Sequence, residues 1–111
     1  MSLDNVNHGE LLALRDTLRS FAAARGWQAY HTPKNLVMAL IVEAAELVEH
    51  FQWLSGEESL TLPAEKLTAV REEVADVLIY LIELADVLQI DLHAAARDKI
   101  ARNALKYPAP D

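Results

Sequence analysis

The chain has 111 residues, 52% of them hydrophobic, a formal net charge of −7 and no cysteine. That length supports one domain with one modest core. The negative charge argues against binding a nucleic-acid backbone, and the missing cysteines exclude disulfides and thiolate metal sites, in keeping with a reducing compartment.

Taken in chain order, the pattern is helical throughout, with no period-2 run bounded by hairpin turns. Residues 1–7 are expected to be a disordered start or an expression remnant. A first helix over about 8–25 places Leu11, Leu14, Leu18, Phe21 and Ala22 on one face and stops at Gly26. Thr32 and Pro33 supply an N-cap and a first-turn proline for a long second helix over about 33–54. Residues 55–63 mix Gly, Glu, Ser, Thr and Pro and are expected to form the longest and most mobile loop. A third helix covers about 64–88, with Leu67, Val70, Val74, Val77, Leu78, Leu81, Leu84 and Leu88 in a wide apolar stripe. Asp91 caps a fourth helix over about 92–106, Tyr107-Pro108 ends it, and 109–111 form a tail. The expected architecture is an all-α, four-helix-bundle-like domain over 8–108. Its apolar excess is more than a small monomer covers, so a homo-oligomer is expected. No apolar run reaches the roughly 20 residues that span a bilayer, and no signal segment is evident, so the expectation is a soluble, cytoplasmic protein without a membrane partner.

Two acidic pairs of equal spacing interrupt the two long helices: Glu43-Ala44-Ala45-Glu46 and Glu73-Val74-Ala75-Asp76. Positions three apart on a helix point the same way, so each pair directs two carboxylates off one face. Their surroundings are almost wholly apolar, from Leu36 to Val48 and from Val70 to Ile79. Acids spaced this way are also common on solvated helix faces, but a helix apolar nearly all round is buried, and acids within it need a partner. Joined by the loop over 55–63, the two helices are expected to pack antiparallel, which brings the pairs face to face. Four converging carboxylates suit a hard divalent cation, Mg²⁺ or Mn²⁺.

The spacing Glu43-x-x-Glu46, then 26 residues, then Glu73-x-x-Asp76 resembles the metal signature of the MazG-like all-α nucleoside triphosphate pyrophosphohydrolases. The likeness extends to Trp27 through Leu36, to Phe51-Gln52-Trp53, to Asp76 through Leu81 and to Lys99-x-x-x-Asn103-x-x-Lys106-Tyr107-Pro108. These segments look like the small, single-domain dCTP pyrophosphatase branch, and together they cover about residues 8–108. The resemblance implies Mg²⁺-dependent hydrolysis of a nucleoside triphosphate between the α and β phosphorus atoms, with dCTP or a modified dNTP as substrate and nucleotide-pool housekeeping as the role. It makes Glu43, Glu46, Glu73 and Asp76 metal ligands, with Glu46 also the residue that orients or deprotonates water. It further implies a tetramer rather than a dimer. Glu72, turned about 100° from Glu73, reads as a second-layer or surface acid.

Under the same resemblance Lys99, Asn103 and Lys106 form a phosphate clamp, although lysines near a helix C-terminus also simply favour the dipole. Trp27, Trp53 and Tyr80 move toward a base pocket, whereas tryptophans at helix ends are otherwise core or interface residues. Asn35 either meets sugar or phosphate or bonds the preceding turn, and His31 either contacts substrate or braces the entry to the second helix. Lys34 reads as solvated, and His8, His50 and His93 as structural. Glu83 and Asp86 make a third acidic pair outside the signature, read as solvated or intersubunit. Two alternatives stand beside the leading function: a dUTP- or phosphoribosyl-ATP-type hydrolase, and a non-catalytic helical module whose acids are solvated.

Overall fold

The computed structural model describes residues 3–111, with side chains from residue 9 onward. Met1 and Ser2 lie outside the described residues, as does the His8 side chain. Four helices make up the fold: α1 (Leu3–Arg25), α2 (Pro33–Glu49), α3 (Ala64–Val87) and α4 (Leu92–Lys106). No strand occurs among the described residues.

The helix ends follow local chemistry. Gly26 adopts φ 67° just past α1, which lets its N–H bond Ala23 O at 3.2 Å and the Trp27 N–H bond Ala22 O at 3.0 Å. Thr32 Oγ1 accepts the Asn35 N–H at 3.2 Å at the start of α2, and Asp91 Oδ1 accepts the Ala94 N–H at 3.0 Å at the start of α4. α1 begins upstream of the expected residue 8. α2 stops at Glu49, short of 54, and the chain winds on through tighter turns in which the Phe51 and Gln52 N–H groups share Val48 O. The segment 55–63 holds more structure than a loose loop: the Ser55 N–H bonds Glu58 Oε1 at 2.8 Å, the Glu58 N–H bonds Ser55 Oγ at 3.1 Å, and Glu58–Leu60 form a short 3-10 turn. This reciprocal capping box is a local signal that was present in the sequence as Ser55-x-x-Glu58.

α2 and α3 form the principal contact of the molecule, antiparallel, since Glu43 meets Glu73 and Asp76 while His31, before α2, meets Glu83 farther along α3. α1 packs on α3, and α4 rests mainly on α1. The buried core is thin: Ala22 from α1, Leu36 from α2, and Val70, Ile82 and Ala85 from α3. None of the residues of α4 is buried, so one chain does not close into a four-helix bundle. Large apolar side chains remain on the surface, among them Ile41, Trp53, Leu60, Ile100 and Leu105.

Candidate active site

The α2–α3 seam gathers the acids. Single carboxylate oxygens of Glu43, Glu73 and Asp76 all lie within 4.8 Å of one another. Glu46, one turn beyond Glu43, stands within hydrogen-bonding reach of both Glu43 and Glu73. Hydrogen bonding with Glu73, then burial and the charges of Glu46 and Asp76, push the Glu43 carboxyl up to about 7. For Glu73 the bond with Glu43 is the largest single influence and pulls downward. Burial, Glu46 and Asp76 together outweigh it, so this carboxyl also stands above its ordinary value.

This donor set fits a divalent cation. Glu73 Oε2 is buried without a hydrogen-bond partner, an expensive state for a carboxylate oxygen that lacks a counter-charge. The ligands are all hard oxygen, on two helices that hold them at one place, and without a cation the cluster relieves its repulsion by sharing a proton, as between Glu43 and Glu73. A divalent cation would replace that proton.

The other sequence-derived residues are distributed around this centre. Tyr80, one turn past Asp76 on α3, is half-buried; burial, then the charges of Glu43, Glu83 and Asp76, raise its phenol. It stands between the acid cluster and Glu83. Asn35 donates from Nδ2 to Tyr30 O at 2.9 Å, so its amide is used on the preceding turn. His31 Nδ1 lies 3.0 Å from Glu83 Oε2. Trp27 meets the edge of Phe21 at a centroid distance of 5.6 Å, beside Arg25, whose guanidinium stacks on Phe21 at 3.5 Å. Trp53 is 87% exposed in the turns after α2. Lys99, Asn103 and Lys106 are exposed on α4, which rests mainly on α1, whereas the acids lie on the α2–α3 seam.

The third acidic pair is not solvated. Asp86 takes a two-pronged ion pair from Arg19 of α1, with Nε to Oδ2 at 2.8 Å, and the Arg19 hydrogen bond holds the Asp86 carboxyl below its usual range. The Glu83 side chain is 14% exposed and faces His31 within the same chain. Both partners are remote in sequence, so only the helical register could have pointed to Glu83: it falls seven residues after Asp76, on the metal-bearing face.

The MazG-like family model matches residues 38–111. The chain belongs to the MazG-like family. Among curated relatives, dCTP pyrophosphatase 1 of Mus musculus is 43% identical over 90 residues, 79% of this chain and 53% of that protein. The Homo sapiens protein of the same name is 44% identical over 92 residues, 80% of this chain and 54% of its own length. The chain therefore spans about half the length of the curated relatives it matches. A crystal structure of a pyrophosphatase from Archaeoglobus fulgidus superposes with a TM-score of 0.80 at 45% identity, covering 90% of this chain and 94% of that one. No helix among the described residues is long and apolar enough to cross a membrane.

Proposed function

We propose that this MazG-like protein hydrolyses a nucleoside triphosphate, dCTP or a related or modified dNTP, to the monophosphate and pyrophosphate, with Mg²⁺ as the metal and Mn²⁺ as a substitute. The observation that carries this reading is the convergence of Glu43, Glu73 and Asp76 within 4.8 Å between two largely apolar helices, in a chain similar to dCTP pyrophosphatase 1. Bound there, the metal would supply charge neutralisation for the triphosphate oxygens, the main requirement of phosphoryl-transfer catalysis.

The chain's own residues would divide the remaining work. Glu43, Glu46, Glu73 and Asp76 hold the cation, the tight trio of Glu43, Glu73 and Asp76 with Glu46 beside it. Glu46 also orients or accepts a proton from the attacking water. Tyr80 offers an aromatic face near the cluster for the base or sugar, and Trp27 and Trp53 offer further stacking surface. Lys99, Asn103 and Lys106 supply the phosphate contacts, delivered by a neighbouring copy because α4 of the same chain rests mainly on α1. The thin core and the exposed Ile41, Trp53, Leu60 and Leu105 support a homo-oligomer, and the resemblance to the small single-domain branch favours a tetramer over a dimer. A small, acidic nucleotide-pool enzyme of this type acts in the cytoplasm.

Chromatographic product analysis tests the reading. With Mg²⁺ the protein should convert dCTP to dCMP and pyrophosphate, and EDTA should abolish turnover. Formation of dCDP and phosphate, or turnover indifferent to EDTA, would contradict it.

A further inference from the structure

Glu83 is a mostly covered acid, with its Oε2 atom buried, for which the metal chemistry has no use. Its side chain is 14% exposed, and its Oε2, although 3.0 Å from His31 Nδ1, is not aligned to accept a hydrogen bond from it. A buried carboxylate oxygen with unspent lone pairs is costly unless a ligand supplies the donor. Glu83 also lines a cavity of about 360 Å³, formed where α1 and α3 meet the turn before α2. Leu18, Ala22 and Val87 give this cavity an apolar side, and Gln28, His31 and Glu83 line it together with Arg15 and the Arg19–Asp86 ion pair, so its polar groups are numerous.

The position relative to the acid cluster is informative. Glu83 follows Asp76 by two helical turns on the same face of α3, a rise of about 10 Å, with Tyr80 between them. That is about the reach from the α-phosphate of a nucleotide, across its sugar, to the far edge of its base. We propose that Glu83 is a specificity-determining residue that accepts a hydrogen bond from the exocyclic amino group of an amino-bearing pyrimidine and so favours cytosine over uracil, with the His31 ring standing beside the carboxylate at 3.0 Å. The inference rests on the nucleotide hydrolase reading above. An ionised carboxylate is acceptor-only. It pairs with the N4 amino group of cytosine, whereas the O4 of uracil would set two acceptors against each other. Burial raises the Glu83 carboxyl, and the neighbouring His31 charge opposes that rise.

The test compares dCTP with dUTP, whose bases differ at this edge. In Glu83→Gln the amide can rotate to donate as well as accept, so the ratio of kcat/KM for dCTP over dUTP should fall by about tenfold or more. A loss of thermal stability with both nucleotides scaled by the same factor would assign Glu83 to bracing alone and overturn the proposal. The wild-type protein gives a second arm that is independent of the variant's folding: calorimetry should show dCMP bound about tenfold or more tighter than dUMP, and equal affinities would overturn the proposal. If the wild type released pyrophosphate from both nucleotides without discrimination, only the role of Glu83 would fall. If it released none from any nucleotide, the hydrolase reading would fall with it.

Discussion

At the scale of single residues, the acid cluster links protonation, metal binding and stability. Glu43 is raised from 4.5 to about 7 in the folded chain, so between these values the folded state holds a proton that the unfolded state has released. Stability from this group is complete below about 4.5 and is lost as pH rises through about 7. Without metal, the melting temperature should therefore decline over that window in the wild type relative to Glu43→Gln, which carries no titrating group there. Saturating Mg²⁺ should reverse the difference, because the cation takes the place of the proton. Parallel melting profiles for the two proteins, unchanged by Mg²⁺, would count against a metal centre. The ion pair of Asp86 with Arg19 has the opposite sign: the lowered carboxyl stabilises at neutral pH and loses that contribution only as pH falls through its folded value, well below the Glu43 window. Glu46 makes a separate prediction. Glu46→Ala should lower kcat by about a hundredfold or more while leaving circular dichroism unchanged; retained turnover would remove Glu46 from the chemistry.

At the scale of elements, what was legible in the sequence is what acts locally. Thr32 and Asp91 cap helices through bonds to residues three positions on, Gly26 ends α1, and the i, i+3 acid pairs follow from the helical period. The Ser55 and Glu58 capping box is equally local, but the loop-like composition around it masks the signal. Arg19 and Asp86 lie 67 residues apart, and no periodicity announces which elements will adjoin, so in sequence Glu83 and Asp86 read as solvated or intersubunit acids, whereas the fold pairs Asp86 with Arg19 and sets Glu83 beside His31. Gln89 is a further case: it adopts φ 56° past α3, with its N–H bonded to Asp86 O at 3.1 Å and the Ile90 N–H bonded to Ala85 O at 2.8 Å. This is the same stop that Gly26 makes after α1, here in a residue with a Cβ. Gln89→Gly should stabilise the protein by roughly 1 kcal/mol in denaturant unfolding. A loss of stability would mean that the Gln89 side chain makes contacts outweighing its backbone strain.

At the scale of the whole molecule, a thin core and an α4 without a buried residue leave the acids on one helix pair and the basic residues of α4 on another surface. The apolar excess in composition anticipated incomplete burial, but composition does not say which face stays open, and the number of copies is not encoded in any local pattern. In the proposed function the α2–α3 seam is the chemical centre and a neighbouring copy supplies the phosphate contacts. Water then cleaves a nucleoside triphosphate at the bond between the α and β phosphorus atoms. Turnover of dCTP with Mg²⁺ in ¹⁸O-labelled water, followed by ³¹P resonance of the products, tests that cleavage most directly. The products should be dCMP and pyrophosphate, with one ¹⁸O from water in one of the two; dCDP together with labelled free phosphate would contradict cleavage at that bond.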